Sequence, residues 1–469
     1  MLNAIEIEHT LRQVMEALRA KYSLDEIRDC ILKLFLFKRV SDLLPEKGQN
    51  LSVPIESYWS IVRQEQNHLA QKLNEVLTLL EIANPYLKGV LTDSEIDFWS
   101  RFDDKTLRYL IELFSDLDLR GEAPNDLNKL GEVSEWFVEK SASTGANTRG
   151  VYTPRQLTTM MVELINPQQK ASIYDPACGS GEFLAETIRF IRGSGKDVAE
   201  VKIHGQVAST QGCATAKVNL MLHGIENPDI RSGNAIFEPC FVQDNKLRLF
   251  DIVLLNPPFN LKYSQRDLEK IRYPERFSYG IPSNGVGDFL FIQHAIHSLK
   301  DTGKAAIVLP RGVLFRKGDE ERIRKEMVED DWVEAVIELA PKLFYQTSIP
   351  VTVVIFNKKK PNRNKILFID ASREYEAGKV QNLLKPEHID HIVSVYHSFQ
   401  DEEGFARLVS AEEIADNEYN LSINRYVIPP VDEQINVALE VERLHQLEAE
   451  RYELEGRIDG YLQALGIEV

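Results

Sequence analysis

Two short segments bring together the residue types that hold a small molecule and direct a reaction on it. The first, from Ile173 to Leu184, reads IYDPACGSGEFL. It begins as an apolar strand and leads into a helix expected from about Phe183. In an open α/β sheet, ligands bind beyond the carboxyl ends of the strands, and glycines there let the backbone come close to the ligand. Gly179 and Gly181 suit that role, with Ser180 between them, and the small size of Cys178 is the simplest reason for its presence. Asp175, at the strand end, can accept a hydrogen bond from a positively charged amino group. The loop is not GxGxxG and lacks the Lys-Ser/Thr ending of a phosphate loop, so a nucleoside triphosphate fits poorly. Taken alone, it also reads as a glycine-rich turn that caps a helix.

The second segment is the buried-strand pattern Phe250–Leu255 followed by Asn256-Pro257-Pro258-Phe259. Consecutive prolines remove two backbone donors and stiffen the turn, which holds Asn256 in one orientation. The Asn256 side-chain oxygen and the Pro257 carbonyl can accept both hydrogens of an exocyclic amine, leaving the nitrogen lone pair directed at an incoming methyl group. Phe259 offers an apolar face to a planar base, which must first leave the duplex. With a sulfonium methyl donor no base need act before transfer, and catalysis rests on positioning and acceptor electrostatics. An isolated NPPF is a strand-ending turn; what gives it meaning is its place after the glycine loop on one sheet.

The elements that must position these loops are legible in the hydrophobic pattern. From Ile5 to about Leu130, apolar residues recur at helical spacing (Leu11, Val14, Leu18; Ile31, Leu34), and an all-helical domain over residues 1–140 is expected. Ser141 to Gly150 is small, polar and glycine-bearing, as a connector would be. Beyond it, β-rich runs (Ala171–Tyr174, Lys202–Val207, Asp251–Leu255, Ala305–Leu309, Trp332–Glu338, Thr352–Phe356, Lys365–Ile369) alternate with helical segments. This pattern predicts an α/β domain over 141–430. A tail over 431–469 carries an apolar stripe, Leu444, Leu447, Leu454, Ile458, Tyr461 and Leu465. It can pack on its own domain or on a partner.

With 72 acidic against 55 basic residues the net charge is -17, which is unfavourable for a chain that must by itself neutralise many phosphates. No apolar run spans a bilayer and the start lacks signal-peptide character, so a cytoplasmic protein with no membrane partner is expected. Cys30, Cys178, Cys213 and Cys240 show neither disulfide nor metal-ligand spacing, and no metal is expected. His204 and His223 read as packing or capping residues. The Lys358-Lys359-Lys360 run reads as a solvated turn, with phosphate contact at a cleft rim as the alternative. Phe289, Phe291 and Phe315 read as core, with a base pocket as the alternative.

Together these residues resemble the N6-adenine DNA methyltransferases, and specifically the modification subunit of type I restriction-modification systems. Gly150-Val151-Tyr152-Thr153-Pro154-Arg155 resembles the family's segment ahead of the first strand, which helps close over the cofactor. DPACGSGEFL from Asp175 resembles its cofactor motif, and Asn256 to Phe259 its catalytic one. Leu222 to Ile225 and Asn420 to Val427 are also similar to family segments. The resemblance implies a Rossmann-like S-adenosylmethionine-dependent sheet with an amino-terminal helical domain and a carboxyl-terminal amphipathic helix or coiled coil. It implies methylation of the N6 amine of a flipped adenine in DNA. It further implies a complex in which two copies of this subunit flank a specificity subunit, and a restriction subunit joins for cleavage.

The chain departs from the family at two places. Where the family usually has Gly-Gln-Glu after the second strand, its Glu accepting from the ribose hydroxyls, this chain has Gly205-Gln206-Val207. The usual Gly-Asp is Gly233-Asn234, a milder change because an amide still bonds an adenine edge. Loss of a charge-assisted pair costs about 1.5 to 3 kcal/mol, or roughly ten- to a hundredfold in affinity. Weakened cofactor binding is therefore expected, and a non-catalytic structural subunit is the alternative. Cytosine-N4 methylation uses closely related loops. A protein-glutamine methyltransferase usually has tyrosine in place of Phe259 and lacks the helical front and tail.

Overall fold

Helix Leu24–Leu43 (α2) is apolar on nearly every side: Ile27, Ile31, Leu34, Phe35 and Phe37 are all buried, so other helices must wrap it. They are Ala4–Leu18 (α1), Trp59–Gln64 (α3), Leu69–Ala83 (α4) and Asp104–Ser115 (α5). These come from a computed structural model that describes residues 4–43, 52–92, 98–121, 126–132, 136, 153–344, 349–428 and 437–464. The connector expected at Ser141–Gly150 lies outside them. Cations buried on α2 are held by backbone acceptors, Lys38 by the Leu117 carbonyl (2.7 Å) and Arg39 by that of Leu119 (2.6 Å), which offsets their desolvation.

The sheet runs through β1 (Ser172–Asp175), β2 (Lys202–Val207) and β3 (Asp229–Ser232), then a small hairpin of β4 (Val242–Gln243) and β5 (Lys246–Leu247) that stands apart. It continues with β6 (Phe250–Leu255), β7 (Leu299–Pro310), β8 (Val333–Leu339), β9 (Val351–Asn357), β10 (Lys365–Ala371) and β11 (Ala406–Ser410). The nine-stranded order is β11-β10-β8-β9-β7-β6-β1-β2-β3. Strands β3, β2, β1, β6 and β7 are mutually parallel, and β9 runs antiparallel between β7 and β8. After β1 the chain moves outward to β2 and β3 and returns to β6 on the other side of β1. The strand order therefore reverses between β1 and β6, the place where an open α/β sheet leaves a crevice.

One face of the sheet is covered by Arg155–Ile165 (α6), Glu182–Gly193 (α7), Thr210–Leu222 (α8) and Pro386–Ser398 (α11), through Leu157, Met161, Leu184, Ala216 and Ile392. The other is covered by Asp288–His297 (α9) and Asp319–Glu329 (α10), through Phe289, Ile292 and Ile323. Val218 and Leu222 of α8 belong to the core of the amino-terminal helices, so helical region and sheet share that helix and form one compact unit, Met1–Val427. Residues 428–469 form a second unit containing helix α12, Val437–Ala464. Its stripe residues Leu444, Leu447, Leu454 and Ile458 are exposed; the Tyr461 side chain and Leu465 fall outside the described residues. Among the described residues no helix is long and apolar enough to cross a membrane.

Lys358 and Lys359 form the turn expected of the lysine run, with Lys359 exposed, but Lys360 differs from that reading. Because β9 is antiparallel to β7, pairing Asn357 with Lys304 and Val351 with Pro310, the run leaves the amino-terminal edge of β7, away from the crevice. Lys360 is buried, with Nζ 2.5 Å from Asp331 and bonded to the carbonyls of Val333 and Lys365; it is a structural ion pair and contacts no rim. Lys358 donates to the Leu299 carbonyl. Removing Lys360 leaves the buried Asp331 carboxylate with only the exposed Arg363 (2.9 Å) as its counter-charge. Lys360→Met should therefore destabilise the chain by about 3 kcal/mol, read as a lowered urea midpoint, whereas Lys359→Met should shift it by less than about 0.5 kcal/mol.

Candidate active site

The glycine loop leaves the carboxyl end of β1. Gly179 (φ 54°) and Gly181 (φ 87°) hold left-handed backbone that side-chain-bearing residues rarely adopt, and Gly181 caps α7, turning that helix's free amides toward the crevice. Asp175 is 1% exposed, and its Oδ1 accepts from the Ala177 amide (2.9 Å), which fixes the carboxylate beneath the loop. The Cys178 amide donates to the Gln206 carbonyl (3.0 Å). Its side chain fills the space that Gly205 leaves: a Cβ at Gly205 would lie 2.9 Å from Cys178 Sγ. Cys178 thus supports the loop by packing. The Ser180 hydroxyl donates to Glu182, and Asn219 Nδ2 holds the Ser180 carbonyl (2.8 Å).

The Asn256–Phe259 loop leaves the neighbouring strand β6. Asn256 is 7% exposed; its Nδ2 donates to Thr153 Oγ1 (3.0 Å), while its Oδ1 is buried with no hydrogen-bond partner. An unsatisfied buried acceptor costs about 1–3 kcal/mol, which a donor entering the cleft would recover. An amine hydrogen is such a donor. Pro257 is buried, Pro258 and Phe259 are half-buried, and the Phe259 ring meets Phe344 edge-on at 6.1 Å. The loop's exit is pinned: the Asn260 amide donates to Asp288 (2.9 Å), and Arg316 bridges Asp288 (2.6 Å), Glu320 (2.6 Å) and Asn260 (3.1 Å).

Further along the same edge, Val207 pairs with Ser232 in register, and the Gly233 amide donates to the Val207 carbonyl (2.8 Å). Val207 is half-buried and offers no acceptor from its side chain. The Asn234 Oδ1 accepts from the Ile236 amide (2.9 Å), so the side-chain group left for a ligand is an amide donor. An aspartate there would cap the same turn and keep a second acceptor for an adenine amino group.

Of the residues singled out from sequence, the structure brings Thr153, Asp175, Gly179, Ser180, Gly181, Val207, Asn234 and Asn256–Phe259 to the carboxyl edge of β1, β2, β3 and β6. Gly150, Val151 and Tyr152 lie outside the described residues. Pro154 precedes α6, and Arg155 is exposed on Glu132 (3.4 Å). Phe289 and Phe291 are core; Phe315, after β7, is 44% exposed. His204 packs on Phe241 and Phe250, and His223 caps α8. Sequence reading passed over Arg28, which pairs with Asp25 (3.0 Å) and Asp29 (2.9 Å), and over Asp29, which accepts from Gln211; these tie α2 to the first turn of α8. No motif marks them, and only their burial identifies them.

Comparison with known proteins gives a consistent picture. The N-6 DNA methylase family model matches residues 125–434. The chain is 32% identical over 417 residues to the type I restriction enzyme MjaVII methylase subunit of Methanocaldococcus jannaschii, covering 86% of this chain and 70% of that one. It is 30% identical to the HindI methylase subunit of Haemophilus influenzae, covering 85% of this chain and 93% of the relative. The solved type I restriction-modification methyltransferase subunit from Streptococcus thermophilus superposes with a TM-score of 0.78 at 26% identity, over 91% of this chain and all of that one (100%).

Burial pushes the Asp175 carboxyl well above its usual range; the Ala177 amide opposes this and Glu182 adds to it. A carboxyl so shifted takes up a proton on folding and weakens the fold as pH rises through the window above the ordinary value of about 3.9. A ligand ammonium placed beside Asp175 would favour the ionised form, so its binding would lower that pKa and release a proton. Titrations of S-adenosylmethionine in buffers of different ionisation enthalpy, at pH values stepped upward from the ordinary carboxyl range, should show net proton release that Asp175→Asn abolishes. Heats independent of buffer would contradict this.

Proposed function

The chain belongs to the N-6 DNA methylase family, and on that premise we propose how its sheet-edge residues divide the work of methyl transfer. It is the methylase subunit of a type I restriction-modification system, an adenine-N6 DNA methyltransferase. Family and fold imply S-adenosylmethionine as donor, and the cofactor would supply an electrophilic methyl group. The donor set agrees with that ligand: a buried carboxylate for an ammonium at Asp175, left-handed glycines at Gly179 and Gly181 for close backbone approach, and an amide donor at Asn234 for an adenine edge.

The observation that carries the reading is the orphaned Asn256 Oδ1 at the switch point, beside the strand that bears the cofactor loop. Asn256 Oδ1 and the Pro257 carbonyl accept the adenine N6 hydrogens, Thr153 keeps the Asn256 amide from rotating, and Phe259 stacks on the flipped base. Pinning of the loop exit by Asp288 and Arg316 keeps these groups in place. The acidic net charge of -17 supports a complex in which a specificity subunit makes most phosphate contacts and reads the sequence, with its helices covering the exposed stripe of α12. A second copy of this chain and a restriction subunit complete the assembly.

Val207 and Asn234 favour a second reading, a structural subunit with little cofactor binding. Calorimetric titration of S-adenosylmethionine into the chain, with its specificity subunit present, separates the two. The enzyme reading expects saturable binding that tightens by roughly ten- to a hundredfold in Val207→Glu and by about three- to tenfold in Asn234→Asp. Absence of heat in all three forms at millimolar cofactor would establish the structural subunit instead.

A further inference from the structure

Arg276 is 2% exposed and lies on a short helical turn, Pro274–Phe277, in the segment that follows the Asn256–Phe259 loop. Among the described residues it pairs with no carboxylate. Its guanidinium donates instead to the carbonyls of Ala235 (2.8 Å) and Ile236, immediately after Asn234, and to Nδ1 of His294 (2.6 Å). Because arginine only donates, Nδ1 must be the acceptor and the His294 proton sits on Nε2. That proton goes to the Tyr174 hydroxyl (3.2 Å), which in turn donates to Gln206 Oε1 (3.3 Å). The Gln206 amide then donates to the carbonyls of Gly233 (3.1 Å) and Glu238 (2.8 Å), and its oxygen also takes the Cys240 amide (3.0 Å). Donation thus runs in one direction, Arg276 to His294 to Tyr174 to Gln206, and both ends of the run grip the same turn, residues 233–240.

We propose that Arg276 is a positioning residue that fixes the turn carrying Asn234 against the segment after Asn256–Phe259, so that the adenine-edge side of the cofactor cleft holds one geometry. A buried cation without a counter-charge is expensive, and polar side chains buried together destabilise unless they are partnered. Here both Nη atoms of Arg276 donate and its Nε alone has no partner. Burial lowers the Arg276 pKa to about 10 and keeps His294 neutral, which the donation order requires. Nothing in holding the sheet together needs this, since β2 and β3 already pair through Val207 and Ser232. What the run does hold is the adenine-edge residue. The inference rests on the cofactor lying at that edge, as proposed above.

The test has two arms, both on the full chain with its specificity subunit. Hydrogen exchange on the unmodified protein should show the amides of Ile236, Glu238 and Cys240 protected before any ligand is added, and protected further, together with residues 272–277, when S-adenosylhomocysteine binds. Arg276→Lys, which keeps the charge and loses the fork, should weaken S-adenosylhomocysteine binding by about tenfold while leaving kcat at saturating cofactor within about threefold; His294→Asn should do the same. Overturning outcomes are fast exchange of the turn in the unmodified protein, or unchanged affinity in a variant that unfolds cooperatively. If the unmodified chain binds no cofactor, the functional reading fails and the exchange of the turn before ligand still decides the positioning claim.

Discussion

The pairing of β1 with β6, Ile173 beside Ile252 and Tyr174 beside Val253, is the constraint on which the rest depends. Parallel neighbours end on the same edge, about 4.8 Å apart. One ends in a carboxylate and a glycine loop, the other in an asparagine held by two prolines. Slipping the register by one residue would turn Asp175 or Asn256 to the opposite face and dissolve the site. The helices on both faces, the amino-terminal core joined through Val218 and Leu222, and the pinning of the loop exit at Asp288 all protect this one juxtaposition.

Electrostatically the crevice is built to avoid charge of its own. Burial raises Asp175, Tyr174 and Cys178 and lowers His294, so the floor beneath the loop favours neutral forms until a ligand brings a counter-charge. In such a medium a single fixed acceptor such as Asn256 Oδ1 counts for more than it would in water. The same medium makes the buried arginine intelligible as the head of a hydrogen-bonded run, to which both of its Nη atoms donate.

Much of this was legible in the sequence because it depends on local pattern. Strands β1, β2, β6, β8, β9 and β10 lie within one or two residues of their apolar runs, and both loops follow strands as their composition requires. Strand β3 was not visible, since of Asp229-Ile230-Arg231-Ser232 only Ile230 is buried at that sheet edge. Strand β11 is another edge strand, and the early part of β7 carries Lys300, Asp301 and Gly303, which read as a turn. Lys360 and Arg276 were illegible for a different reason. Their roles are set by chain reversals that bring distant carbonyls and carboxylates together, and no local spacing records that. The thiol of Cys178, expected to be there for its size, does fill the gap over Gly205.

The central claim is that Asn256, placed beside the cofactor loop, directs an adenine amine at a methyl donor. The most direct measurement is transfer of radiolabelled methyl from S-adenosylmethionine to duplex DNA by the chain assembled with its specificity subunit, with the labelled nucleoside identified, for the unmodified chain and for Asn256→Ala. The account predicts N6-methyladenine as the product, and a loss of at least about a hundredfold in Asn256→Ala at a cofactor affinity changed by less than about threefold. Label in N4-methylcytosine, or an Asn256→Ala variant as active as the unmodified chain, would contradict it.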